Sequence, residues 1–313
     1  MKKFPYLGTV LRILATILII AILLNILNLE EISSTLRSSD LDFVTAATLL
    51  AILYIPLASI RLKLFLFVNE LNISFKDCFR ATMCGLALNL FLPTRGGDFA
   101  KLAYLRKRDQ PSWARLVSTA VLERGCDILS LGIIGFTSSL GIGLFDASIA
   151  NGTLIAIVAL CLVFLPKLNS IPILGKHLDG FSSSLTRAYQ SKTLFFYCFL
   201  ASFICWMINS SMMGCLIKSF DHSITFFHAF SVTPPSIIAG IIPVSLWGVG
   251  TRDGALVFFL QDFTASKNAI SAGFLYTVIA YWLLGLLGLP FLASFRGKIR
   301  YLRNNRNIHK HKQ

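Results

Sequence analysis

The chain has 313 residues, of which 55% are hydrophobic and 14% charged, with a mean hydropathy of +0.70. Soluble domains are about 45–50% apolar and about 25% charged, so the composition excludes an ordinary soluble enzyme. It leaves one polytopic membrane domain, residues 1–295, and a basic tail, residues 296–313. The net charge of +14 fits a cytoplasmic tail beside anionic lipid headgroups; with no folded module and no aromatic interleaving, nucleic acid is not the expected partner.

Lys2 and Lys3 precede an apolar run from Leu7 to Leu27. The run is too long for a signal peptide and no small-residue cleavage site follows it, so it reads as an uncleaved first span. The positive-inside bias places the amino end in the cytoplasm and Glu30, Glu31, Asp40 and Asp42 outside. A second span, Phe43 to Phe65, returns to Arg61, Lys63, Lys76 and Arg80. The next apolar segment, Phe79 to Leu105, is broken by "PTRGGD". A full crossing there would carry Lys101, Arg106, Lys107 and Arg108 outside, against the bias, whereas a re-entrant hairpin turning at "PTRGG" keeps them inside.

A third span, Leu116 to Ile142, leads out to Asp146, and a fourth, Ala150 to Leu165, returns to Lys167, Lys176, Arg187 and Lys192. The fifth, Leu194 to Ile217, leads out again, and the sixth, Ala269 to Ser294, ends at the basic tail. The segment between them, Phe226 to Phe263, must therefore begin and end outside, as a second hairpin or as two short spans. The expectation is an all-α integral membrane protein of about six transmembrane helices plus two re-entrant hairpins, with both termini cytoplasmic in the cell (inner) membrane.

Pro93 lies 50 residues after Phe43, and Pro243 lies 50 after Thr193. "LPTRGGD" and "IPVSLWGVGTRD" share the order apolar, proline, glycines, arginine, aspartate. Opposite orientations of such a unit mark an inverted repeat, with halves roughly 43–142 and 193–294. Broken helices at matching positions point to a substrate site near the midplane.

Non-helical backbone survives in a bilayer only when buried in protein or lining a water-filled cavity. Pro93 stops the helix, Gly96 and Gly97 permit a tight turn, and the amides beyond it form the amino end of a half-helix suited to an anion. Arg95 and Arg252 offer bidentate recognition of a phosphate. The blander reading pairs Arg95 with Asp98, and Arg252 with Asp253 or the opposite tip. Asn89, in the descending arm, reads as structural glue or a ligand contact, and Trp247 as a cavity wall. In "VLERGCDILSL", Glu123 and Asp127 share a helical face and want a cation beside Arg124: a bridge to Arg95 or Arg252, a proton, or a substrate amine.

The seven cysteines show no C-x-x-C spacing and the five histidines no metal spacing. No H-E-x-x-H, G-x-S-x-G or P-loop motif occurs, so no metal, cofactor or catalytic residue is expected.

In this order, "NLFLPTRGGD", "VLERGCDILSL" and "IPVSLWGVGTRDGA" resemble the lysylphosphatidylglycerol synthase transmembrane-region family of flippase-like proteins. The family's acidic residue after each glycine turn is commonly Glu; here Asp98 and Asp253 stand there. The resemblance implies movement of a polar-headed, anionic or phosphate-bearing lipid, carried at Arg95, Asp98, Glu123, Arg124, Asp127, Arg252 and Asp253. It also implies a stand-alone member without the soluble aminoacyl-transferase domain; the partners to expect are membrane lipids, lipid-modifying enzymes and a second copy of the chain. A lipid-headgroup or glycosyl transferase with Glu123, Asp127 or Asp98 as base, and an ion-coupled solute transporter, are the alternatives.

Overall fold

The computed structural model describes residues 34–92, 96–109, 112–168, 191–242 and 247–292. The expected first span, the turn residues Pro93 and Arg95, Pro243 and the basic tail lie outside the described residues. Among the described residues the regular structure is helical, in nine helices of more than one turn joined by short turns and links.

Helix α1, Leu41–Val68, starts where the Asp40 side chain accepts from the Asp42 amide and ends at Asn69, before Glu70 in a left-handed turn (φ 58°). Helix α2, Phe75–Asn89, is capped by Ser74. After the break comes α3, Gly97–Asp109. Helix α4, Trp113–Ile142, is capped by Ser112 and stopped by Gly143 at φ 72°, a conformation glycine adopts without steric cost. Helix α5, Phe145–Leu168, connects to α6, Lys192–Lys218. Then follow α7, Phe226–Ile241, α8, Thr251–Leu260, and α9, Ser266–Leu292, which contains a π-helical stretch at Val278–Leu283.

Helices α1 and α6, residues Arg115–Ile142 of α4, and α9 are each long and apolar enough to cross a bilayer. The protein is a multi-pass membrane protein. The expected fourth span, Ala150 to Leu165, lies within α5. The order long, short, short, long occurs twice, as α1–α4 and as α6–α9.

Helix α6 packs along α1 and also meets α4, α7 and α9. Its small residues explain the central place: a Cβ on Gly214 would run into the Phe226 ring of α7. Helix α1 instead shows Leu49, Ile52, Leu53, Ile60 and Phe67 on its surface, the face that lipid tails would cover. Each hairpin leans on the last helix of the other set. Helix α7 packs on α4, while α2 meets α9 where Gly288 approaches the Met83 carbonyl and Phe79 meets Phe291 edge to face. Pro235 has no N–H for the carbonyl of Ser231, one turn back. Asn151 of α5 supplies the missing donor at 2.9 Å, and Gly135 of α4 leaves room for its amide.

Candidate functional site

Both breaks are closed by glycine. In the first hairpin Gly97 lies against the backbone of Gly85 and Asn89, where any Cβ would overlap Gly85 O. The Gly97 N–H donates to Asn89 Oδ1 at 2.9 Å, tying the two arms. In the second hairpin Gly248, at φ 73°, abuts Gly240, and Gly250 sits at φ 88°. Its N–H donates to Asp253 Oδ2 at 3.0 Å, so the aspartate caps the helix it begins. Trp247 holds φ 56°, an uncommon value for a bulky side chain and one that marks a position held by its surroundings.

The two tips meet. The Trp247 indole N–H donates to the Asn89 carbonyl at 3.1 Å, joining residues 158 apart in sequence. The same indole packs edge to face on Trp282 of α9. Beside this contact lies a cavity of about 50 Å³ between the two helix sets. Tyr54 of α1, Asn89, Asp98, Asn209 of α6, and Tyr276 and Tyr281 of α9 give it its polar lining. Tyr276 donates to Asn209 Oδ1 at 3.0 Å.

Next to Asp98 is a buried charge network. Arg61 of α1 forks between two carboxylates, with Nη2 on Glu123 and Nη1 on Asp127, each at 2.8 Å. Lys101 of α3 donates to both Glu123 oxygens at 2.9 and 3.0 Å. Arg124 Nη2 approaches Asp98 at 3.2 Å, Asp127 at 3.3 Å and Glu123 at 3.6 Å. Among the described residues the cluster sets three cations against three carboxylates and gathers α1, α3 and α4 at one point. Ions taken out of water cost several kcal/mol each unless paired in this way.

The second arginine has its own niche. Arg252 Nε and Nη2 both donate to Asp253 Oδ1, and Nη2 also to Gly273 O and Thr277 Oγ1. The guanidinium lies over the Tyr276 ring at 4.7 Å. Gly273 leaves room for this pair, because a Cβ there would overlap Asp253 Oδ1.

Asn89, Asp98 and Trp247 therefore come together at the tips, with Gly96 and Gly97 in the turn beside them. Glu123 and Asp127 do share a face, but their bridge runs to Arg61, Lys101 and Arg124, and Arg252 pairs with Asp253 instead. Arg95 lies outside the described residues. Arg61 and Lys101 were counted as cytoplasmic loop charges and are buried at 3% and 6% exposure. One signal for Arg61 was available: it interrupts "IPLASIRLKLFLF", an apolar stretch where a lone cation needs a partner.

The sequence profile described as the lysylphosphatidylglycerol synthase TM region matches residues 9–288. Among curated proteins, a UPF0104 membrane protein of Methanothermobacter thermautotrophicus is 21% identical, over 93% of this chain and 96% of its own length. Another, from Pyrococcus horikoshii, is 22% identical over 92% of the chain and 96% of the relative. A third, from Methanocaldococcus jannaschii, is 21% identical over 90% and 93%.

Proposed function

On the premise that the chain belongs to the lysylphosphatidylglycerol synthase transmembrane-region family, we propose that it is a flippase-like transporter for a polar-headed, phosphate-bearing lipid. The headgroup enters the cavity where the two glycine turns meet, and the tails remain in the bilayer. The observation that carries this reading is the bond from Trp247 to the Asn89 carbonyl: one hydrogen bond and one small cavity join two broken helices from different parts of the chain. Broken helices meeting in this way are the arrangement of transporters built on inverted repeats, with α1–α4 and α6–α9 as the two units.

A cavity of about 50 Å³ holds a few water molecules and no lipid headgroup. The described conformation is the closed one in this reading, and transport requires the tips to part. Both hairpins are re-entrant, from opposite faces, and the positive-inside bias sets both termini in the cytoplasm. The carboxylates Glu123, Asp127 and Asp98 are each engaged by a cation, an arrangement suited to positioning helices and poorly suited to a free general base, so we read transport in preference to transferase chemistry.

The test is lipid exchange in proteoliposomes carrying a fluorescent phospholipid, quenched from outside. The parent protein should expose inner-leaflet label faster than empty liposomes. Trp247→Phe keeps the ring on Trp282 and removes the N–H that ties the tips, so it should alter the exchange rate several-fold while the protein still folds. No exchange above empty liposomes across anionic and zwitterionic phospholipids would refute the transport reading.

A further inference from the structure

The charge network is tight on one side and loose on the other. Arg61, Lys101, Glu123 and Asp127 make contacts of 2.8 to 3.0 Å, and none of their side chains is more than 7% exposed. Arg124 is different. Its side chain is 32% exposed, and its contacts to Asp98, Asp127 and Glu123 run from 3.2 to 3.6 Å. Asp98 is 27% exposed at its side chain. A partly solvated pair of that length contributes little, whereas breaking the inner pairs strands a buried charge. Arg124 and Asp98 are therefore the joint at which the network opens.

The joint also lies in the right place. Asp98 lines the cavity between the hairpin tips. It is the second residue of α3, next to the Gly97 whose N–H is fixed on Asn89. Arg124 belongs to α4, so the pair holds the returning arm of the first hairpin against the following long helix. A guanidinium accepts a phosphate with the same planar fork that it offers a carboxylate. A phosphodiester in the place of Asp98 would preserve the charge balance around Arg124.

Resting on the reading of the cavity as a headgroup site, we propose that Arg124 is the residue that receives the phosphate and that Asp98 holds its place until the ligand displaces it. Asp98 is then an internal competitor. Its departure loosens the first turn of α3 from Arg124 while Lys101, one turn on, stays bonded to Glu123, so headgroup binding is felt at the tip of the first hairpin. The ligand class is a phosphate ester, and the inner pairs made by Arg61 and Lys101 keep the site from collapsing while the joint is open.

The experiment measures the affinity of the full-length protein in detergent micelles for a short-chain phosphatidylglycerol, with a diacylglycerol of equal chain length as the phosphate-free probe. Asp98→Asn should tighten phosphatidylglycerol binding roughly five-fold, the order of a partly solvated ion pair, and leave diacylglycerol binding unchanged. Arg124→Gln should abolish the preference for the phosphate-bearing probe. In the Arg124→Gln background, Asp98→Asn should have no effect. Asp98→Glu, which restores a carboxylate, should bind like the parent and shows that the position tolerates change. The proposal is overturned if Asp98→Asn weakens or leaves unchanged the affinity of a protein that still elutes as a single species. It is also overturned if Asp98→Asn tightens binding equally without Arg124, since Asp98 would then only repel anions at large. Inorganic phosphate as competitor separates the sources: displacement supports a soluble phosphate ester, and no displacement supports the lipid headgroup. Because the readout is affinity, a failure of lipid exchange would remove the transport reading and leave this result standing, and the reverse also holds.

Discussion

Replacing Arg61 by alanine tests whether the buried network holds α1 to α4. The side chain is 4% exposed and makes two hydrogen bonds of 2.8 Å, one to each carboxylate. Removing one partner of a buried ion pair costs about 3–5 kcal/mol, because the other charge is left without compensation. Glu123 keeps both contacts to Lys101, at 2.9 and 3.0 Å, so it remains neutralised. Asp127 keeps only the 3.3 Å approach of Arg124 among the described residues. The cost then belongs mainly to one carboxylate and falls at the lower end, about 3 kcal/mol. At roughly 2 °C per kcal/mol for a chain of this size, the melting temperature should fall by about 6 °C. The assay is thermal denaturation of a fluorescent-protein fusion in detergent, scored by the monodisperse fraction on size exclusion. Arg61→Lys should lie between parent and alanine, since a single ammonium does not span both carboxylates with the geometry of the fork. Arg61→Met with Asp127→Leu should recover most of the loss by removing both charges together. If Arg61→Ala melts with the parent, or if the double variant is as unstable as the single one, the network does not bear on stability in the way argued.

Three further outcomes follow from particular contacts. Gly273→Ala drives a methyl group into Asp253 Oδ1 and should cost about 1–3 kcal/mol by overpacking, read as a lower melting temperature, and a variant that melts with the parent would contradict it. Asn151→Leu leaves the Ser231 carbonyl without its donor and should cost about 1–3 kcal/mol; a companion Pro235→Ala, which returns a backbone N–H to that carbonyl, should reduce the loss. In the loop after α6, burial works against ionisation of Asp221, but hydrogen bonds from Ser223 and Thr264 outweigh it and hold the carboxyl below its ordinary range. A carboxyl depressed by folding contributes stability above its unfolded pKa and loses that contribution as pH falls through the folded value, so melting should drop below about pH 4. Thr264→Val should make that drop smaller, since the folded value moves back toward the unfolded one, and identical pH profiles for parent and variant would contradict it.

Much of the helical plan is visible in the sequence because bilayer physics acts on local composition. Long apolar runs give α1, α4, α6 and α9, and the charge bias together with proline and glycine marks the hairpins α2–α3 and α7–α8. Asp98 and Trp247 stood out as an acidic and a bulky group next to glycine in an oily setting, and Asn89 as a polar group in the descending arm. The partners of Glu123 and Asp127 did not. Arg61 lies 62 and 66 residues from them, and no spacing rule connects those distances. The orientation rule itself obscured it, since it counts every cation near a span end as solvated. Helix α1 runs on to Val68, which places Arg61 inside the bundle. Lys101 was hidden in the same way within a basic stretch whose other members follow it.

The π-helical stretch of α9 has a mechanical consequence. Tyr276 and Tyr281 are five residues apart, which on a regular α-helix sets them about 140° apart around the axis. A π turn closes on the fifth residue, so both tyrosines reach the cavity, with ring centres 6.3 Å apart. The helix thus carries the equivalent of one extra thread on a screw. Unwinding that thread would turn everything beyond Leu283 by about 100°. It would withdraw Tyr281 from the cavity wall and slide Gly285 and Gly288 off α2 in the same stroke. The wall of the cavity and the seam to the first hairpin are threaded on one shaft.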